Sequence, residues 1–273
     1  MSKPVIIAGA GIIGCLLGHV LKKHSIPFKI LEKSTEFKKI PHRTVALTKE
    51  SIHFLNSIDK SLDLNKWTTP VSKMELYHKN ELGIVLDSNT EEKVTSIGLL
   101  SELHKKLLTK VENEILWNSP ILNIVNNDQV IVKTPDKDFE TDYIFATDGA
   151  NSKVRELCDF ESEEWFYGQK AYVTCIEAEH NNTAKQYFTQ NGTLALLPLN
   201  DEAEFYSIIF CTNSTGDIVQ DLEDMNKAFN IGLDLSEAVL GNGFELKHSR
   251  AMQLYTDNIC LLYTSPSPRD PIG

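Results

Sequence analysis

After Pro4 the chain runs through four apolar residues, Val5 to Ala8, and then breaks into Gly9-Ala-Gly11-Ile-Ile-Gly14. An apolar run continues to Lys22-Lys23. A second short apolar stretch, Pro27-Phe-Lys-Ile-Leu31, closes on Glu32-Lys33. Strand, glycine turn, helix, strand and acid in this order predict a dinucleotide-binding βαβ unit. Gly9 permits the turn, Gly11 lets the backbone approach a pyrophosphate, and Gly14 lets the helix pack close to the sheet. The helix N-terminus adds free N–H groups and a partial positive charge. Glu32 stands 18 residues after Gly14, where a carboxylate accepts from both ribose hydroxyls and disfavours a 2′-phosphate. Val5 to Leu21 is apolar enough to pass for a secretory or membrane segment. The three glycines in its first half, His19 in its second half and the lack of a small-residue cleavage site argue against that.

Downstream, Pro41-His-Arg43-Thr-Val-Ala-Leu47 precedes a helical pattern over Lys49–Ile58. Arg43 has two readings, a solvated surface cation or a bidentate partner for phosphate. Val71 to Thr95 alternates in segments and predicts strands. Ile97 to Val111 predicts a helix through Leu99, Leu100, Leu103, Leu107 and Leu108. Ile121–Val125, Val130–Lys133 and Phe139–Thr141 predict short strands, with turns at Asn126-Asn-Asp128 and Pro135-Asp-Lys137. Tyr143–Thr147 predicts a strand that runs into Asp148-Gly149-Ala-Asn-Ser152-Lys-Val-Arg155. This Asp-Gly is either a ligand site at the carboxyl end of a strand or a helix cap with a tight turn. From Trp165 on, the pattern is rich in strands: Gln169–Glu179, Ala184–Thr189, Gly192–Leu199 and Glu204–Thr212. Turns are expected at Gln190-Asn-Gly192 and Asn200-Asp201, helices at Val219–Phe229 and Leu235–Leu240, and an extended segment at Phe244–Leu254. The aromatics of this half, Trp165 to Phe210, belong to a core, with some free to line an apolar substrate face.

With 273 residues, 41% hydrophobic and 24% charged, the chain reads as globular, with one large or two intertwined domains. A net charge of −11 and no basic run longer than a Lys pair exclude nucleic acid as a main partner. Five scattered cysteines without a C-x-x-C, and eight histidines without ligand spacing, suit a reducing cytosol and offer no metal site.

Gly9-x-Gly11-x-x-Gly14 with Glu32, Arg43-x-x-Ala46-Leu47, and Asp148 to Arg155 together resemble the flavin-dependent aromatic hydroxylases built like p-hydroxybenzoate hydroxylase. Within that group the chain is most similar to the ubiquinone-biosynthesis hydroxylases. Tyr167-Gly-Gln169-Lys-Ala171, Gln186-Tyr-Phe188 with Gly192, Leu197-Pro-Leu199, and His248-Ser-Arg250 with Leu254 carry that likeness, which covers roughly residues 3 to 261. The resemblance implies an α/β fold. A Rossmann-like FAD-binding domain, with a βαβ start and a mixed sheet, would interleave with a smaller sheet-rich substrate domain. The first would take 1–67 and 98–160, the second 68–97 and 161–255. The family's arginine ahead of Leu103 is replaced by Ser101. After Leu261 the family continues into Gly-Asp-Ala-x-His. Here residues 262–273, rich in Pro and Ser, replace it and are expected to be a non-native tail. As printed, the chain is therefore expected to hold FAD poorly and to be inactive.

The resemblance further implies FAD as cofactor, NAD(P)H as reductant, O2 as co-substrate and a small aromatic substrate, in this group a prenylated phenol. Peripheral membrane contact follows from the prenyl tail, with a cytoplasmic location or one on the inner membrane face. Gly9, Gly11 and Gly14 would hold the pyrophosphate, Glu32 the adenosine ribose, and Arg43 would face the phosphates. Asp148 and Gly149 would lie near the pyrophosphate and the nicotinamide approach. No side chain stands out as a general acid or base. Two other readings stay open. One is an FAD-dependent reductase or oxidase on the same scaffold; the other is a truncated, non-catalytic nucleotide-binding module.

Overall fold

A computed structural model describes residues 3–39, 42–78, 81–87, 94–127, 129–190, 192–200 and 204–262. Pro41, Lys93, Asp128, Asn191, Asp201 and the tail from Tyr263 lie outside the described residues. In chain order the elements are β1 (Val5–Ala8), α1 (Ile12–Lys23), β2 (Phe28–Leu31), β3 (Thr44–Leu47), α2 (Lys49–Ile58), β4 (Thr68–Val71), β5 (Lys73–His78), β6 (Glu81–Asp87), β7 (Thr95–Leu99) and α3 (Leu100–Val111). There follow β8 (Ile115–Leu116), β9 (Asn123–Asn126), β10 (Val130–Lys133), β11 (Asp138–Thr141), β12 (Ile144–Ala146) and α4 (Lys153–Leu157). The chain continues with β13 (Ser162–Glu177), β14 (Thr183–Phe188), β15 (Gly192–Asn200), β16 (Glu204–Thr212), α5 (Ile218–Ala228), β17 (Phe244–Ala251) and β18 (Ile259–Leu261).

Two compact units share the chain, each built from separated segments. The first holds residues 1–39, 104–164 and 249–273. Its sheet has the order β18-β12-β1-β2-β8, and every pair in it is parallel. A parallel sheet covered on both faces needs continuous apolar strands, and Val5–Ala8 and Ile144–Ala146 are such strands. Ile6, Ala8, Ile144, Val154 and Ile259 close one core. A small antiparallel sheet, β11-β10-β9, adds Val130 and Val132 to it.

Residues 40–103 and 165–248 form the second unit. It holds the larger share of the chain, because 40–67 and 98–103 cluster with it. The physical tie is β7, which pairs antiparallel with both β3 and β4. The main sheet of this unit has the order β17-β13-β16-β15-β14-β5-β6. It is mixed: β14 and β5 run parallel, while β15 runs antiparallel to both β14 and β16. Alternate residues of its central strands, Leu194 and Leu196 with Tyr206, Ile208 and Phe210, pack under Leu222 of α5. This is the inward half of a two-residue period.

Two sequence expectations change. Ile97 to Leu99 belongs to β7, and the helix starts only at Leu100. Ile97 is fully buried and pairs with Ala46 and Thr69, so sheet pairing overrides a helical spacing of leucines. Leu235 to Leu240 forms no helix. Asp234 accepts from the Ser236 N–H (3.0 Å) and starts a turn. Asn226 ties the loop down by accepting from the Leu233 N–H (3.0 Å) and donating to its carbonyl (2.7 Å). The apolar pattern there reflects a loop packed against α5, with Leu235 buried in its core. Tyr187, Tyr206 and Phe210 are core residues, whereas Trp165, Phe166 and Tyr167 are exposed.

Ile208 has no exposed surface and sits mid-strand between β13 and β15. Ile208→Ala is expected to cost about 2–5 kcal/mol through lost transfer energy and an unfilled cavity, read as a lower urea midpoint with unchanged slope.

Candidate nucleotide-binding site

At the carboxyl edge of the parallel sheet the chain leaves β1 through Gly9, whose φ is +98°. A Cβ there would also lie 2.9 Å from the Asp148 Cα. Both the conformation and the space therefore demand glycine. Helix α1 then sits directly on this turn: a Cβ on Gly14 would be 2.0 Å from the Gly9 oxygen and 2.6 Å from Thr147 Oγ1. At Gly11 a Cβ would meet only the Thr147 carbonyl oxygen, at 3.9 Å. A side chain there would fill the open space in front of the helix. Gly11 is the N-cap and offers no capping side chain. Among the described residues, the N–H groups of Gly11, Ile12 and Ile13 have no acceptor. They are the donors that a helix start presents to an anion.

Glu32 closes the other side of the loop. Its Oε2 accepts from the Ala10 N–H (2.8 Å) and its Oε1 from the Ser34 N–H (2.8 Å). Each oxygen keeps a lone pair for a ligand hydroxyl. At the end of β12, Thr147 Oγ1 shares its one proton between the carbonyls of Ala8 (2.8 Å) and Gly9 (2.9 Å) and pins the two strand ends together. Asp148 Oδ2 accepts from the Lys153 and Val154 N–H groups at 2.7 and 3.2 Å, and so caps α4. Asp148 Oδ1 is shielded from solvent and has no partner, an arrangement that costs about 1–3 kcal/mol unless a donor arrives. Gly149 follows at φ +82° with nothing near its Cβ position.

Gly9, Gly11, Gly14, Glu32, Asp148 and Gly149 thus converge at one edge of the first unit. Arg43 lies in the second unit. Its guanidinium carbon lies over the Phe244 ring, 5.4 Å from the centroid. It also lines a cavity of about 510 Å³ walled by Val173, Cys175, Val239 and Phe244. Sequence reasoning missed Thr147 and His104, whose Nε2 lies 2.6 Å from the Ala10 oxygen. Thr147 could have been suspected from its place before Asp-Gly; His104, 94 residues from Ala10, gave no signal. Cys15, beside the loop, is no activated nucleophile: burial, and then Glu32, push its thiol up to about 12.

The donor set fits a dinucleotide whose pyrophosphate meets a helix N-terminus and whose ribose meets a carboxylate. Residues 2–226 match the FAD binding domain family. This chain belongs to that family. Among curated relatives, the mitochondrial ubiquinone biosynthesis monooxygenase COQ6 of Drosophila melanogaster is 26% identical over 241 residues, which covers 77% of this chain and 49% of that protein. Homo sapiens COQ6 is 24% identical over 229 residues, 72% of this chain and 48% of that protein. The chain spans about half the length of the curated relatives it matches. Among solved structures, Pseudomonas aeruginosa PqsL in complex with 2-aminobenzoylacetate superposes with a TM-score of 0.77 at 17% identity, over 96% of this chain and 78% of that one. The tetrameric form of 2-methyl-3-hydroxypyridine-5-carboxylic acid oxygenase gives 0.76 at 16% identity, over 95% and 74%. At these identities the structures establish the shared fold. The FAD binding domain match, residues 2–226, includes the glycine turn at residues 9–14.

Because the neutral thiol of Cys15 suits the fold and its thiolate does not, the folded pKa of about 12 exceeds the ordinary 9.0. Its contribution to stability is complete below pH 9 and falls as pH rises from 9 toward 12. Alkylation by iodoacetamide at pH 8 should therefore spare Cys15 until urea unfolds the chain, as peptide mass mapping would show. Gly14→Ala should lower both the melting temperature and FAD affinity, because its Cβ drives α1 off the Gly9 carbonyl.

Proposed function

We propose that this chain carries the FAD-binding and substrate-binding parts of a flavin-dependent monooxygenase that hydroxylates an aromatic ring. The substrate we propose is a polyprenyl-phenol intermediate of ubiquinone biosynthesis, with NAD(P)H as reductant and O2 as co-substrate. One observation carries the reading. The unspent N–H groups of α1, the half-used carboxylate of Glu32 and the unpartnered Asp148 Oδ1 lie along one edge of the parallel sheet. That set offers donors to a pyrophosphate and an acceptor to the adenosine ribose.

In this reading Gly9, Gly11 and Gly14 bring the backbone to the pyrophosphate, and Glu32 accepts from the adenosine ribose. Asp148 and Gly149 border the pyrophosphate and the nicotinamide approach. Arg43 is assigned to the phosphates, since a guanidinium suits a bidentate anion. Bound FAD supplies hydride acceptance and O2 activation; the protein binds, orients and excludes water. The cavity beside Arg43, about 510 Å³ with mostly apolar walls, has the size and lining of a small-molecule site and suits a phenol ring. The COQ6 relatives support ubiquinone biosynthesis as the setting. A prenylated substrate partitions into lipid, so the reading includes peripheral membrane contact from the cytoplasmic side. Among the described residues, no helix is long and apolar enough to cross a membrane.

Titration of the chain with FAD, followed by quenching of flavin fluorescence, should saturate, but weakly, because residues 262–273 replace the family's Gly-Asp-Ala-x-His. Glu32→Gln should weaken binding about tenfold or more, the worth of a charge-assisted hydrogen bond. Absence of saturable binding would sink the reading. With Gly-Asp-Ala-x-His restored after Leu261, NADPH oxidation coupled to O2 uptake in the presence of a prenylated phenol supports the monooxygenase. Oxidation without O2 uptake points instead to a reductase.

A further inference from the structure

The Ala10–Gly11 peptide joins the Gly9 turn to the N-cap of α1. Gly11 tolerates either sign of φ, so this peptide plane can turn over at small cost. In one orientation it presents the Gly11 N–H to the open space before α1; in the other it presents the Ala10 carbonyl, which repels a phosphate. In a planar trans peptide the C=O and the following N–H point in opposite directions, and no cis peptide bond occurs among the described residues. Whatever holds the Ala10 carbonyl therefore aims the Gly11 N–H.

Two donors hold it. His104 Nε2 lies 2.6 Å from the Ala10 oxygen. The Cys15 thiol, a weak donor, lies 3.3 Å away. A carbonyl oxygen only accepts, so the proton is on His104 Nε2. The ring itself is set by Phe37, whose centroid is 4.9 Å away in an edge-on arrangement (82°). The same Ala10 residue is fixed on its N–H side by Glu32 Oε2. We infer that His104 is a positioning residue for cofactor binding. By donating to the Ala10 carbonyl it locks the Ala10–Gly11 peptide with its N–H toward the diphosphate. The inference rests on the FAD reading of this loop. It adds a residue from α3, far away in sequence, whose polar contact is with the loop backbone.

ADP and adenosine test it on the purified chain, with binding read by isothermal titration calorimetry and the Gly11 amide read by 15N NMR. His104→Phe keeps an aromatic ring against Phe37 but donates nothing. It should weaken ADP binding about tenfold, the worth of one well-aimed hydrogen bond to a charged group, and leave adenosine binding within twofold. His104→Gln restores an N–H donor and should bring ADP affinity back to within twofold or threefold of wild type. The Gly11 amide resonance should move in the ligand-free Phe variant and return in the Gln variant. Equal losses for ADP and adenosine, or a Gln variant as weak as the Phe variant, would show a general packing role and overturn the inference. An unmoved Gly11 amide in His104→Phe overturns it whether or not ADP binds. Wild-type protein that binds no ADP, with the amide shifted as expected, would instead count against the FAD reading while the locked peptide stands.

Discussion

Helix α1 stands on the carbonyl of Gly9 with no side chain between them, and the first unit is arranged around that contact. The approach is possible because position 14 carries only hydrogen: any Cβ there would lie 2.0 Å from the Gly9 oxygen. It places the helix axis against the ends of β1 and β12, where Thr147 bridges the Ala8 and Gly9 carbonyls. From this one close contact follow the open N–H groups before α1, the reach of Glu32 to Ala10, and the position of Asp148 beside Gly9.

The site is built with few charges. One carboxylate, Glu32, and one capping aspartate, Asp148, stand among backbone donors. The remaining polarity comes from a helix start that no side chain caps. Such a site is pre-organised, since backbone N–H groups within a packed turn have little freedom to lose on binding. It is also chemically quiet. Cys15, which donates to the Ala10 carbonyl from within the fold, has its thiol held well above the ordinary range and does not compete as a nucleophile. The FAD binding domain match to residues 2–226 includes this loop.

Segments of both units alternate along the chain, and the second unit is organised by different physics. Its mixed sheet is stabilised by alternating positions, with Leu194, Leu196 and Ile208 inward under α5. The aromatic residues divide accordingly: Tyr187, Tyr206 and Phe210 fill the core, while Trp165 to Tyr167 stay at the surface. Arg43 belongs here through β3, which pairs with β7. The cation thus sits in the sheet-rich unit and against Phe244.

Local chemistry made much of this legible from residues alone. Gly9, Gly11, Gly14 and Glu32 announce their unit because a glycine turn, a helix start and an acid at the end of the next strand interact at short sequence range. The helix over Lys49–Ile58 and the strand over Val130–Lys133 follow from periodicity for the same reason. Where the sequence misled, long-range pairing decided: Ile97 was drawn into β7 by Ala46 and Thr69, and Leu235 was buried by a loop tied to Asn226. The tertiary structure alone revealed His104 on the Ala10 carbonyl and the unpartnered Asp148 Oδ1. Both depend on residues distant in sequence meeting within hydrogen-bond range or sealing an atom from water, and no local pattern encodes that distance.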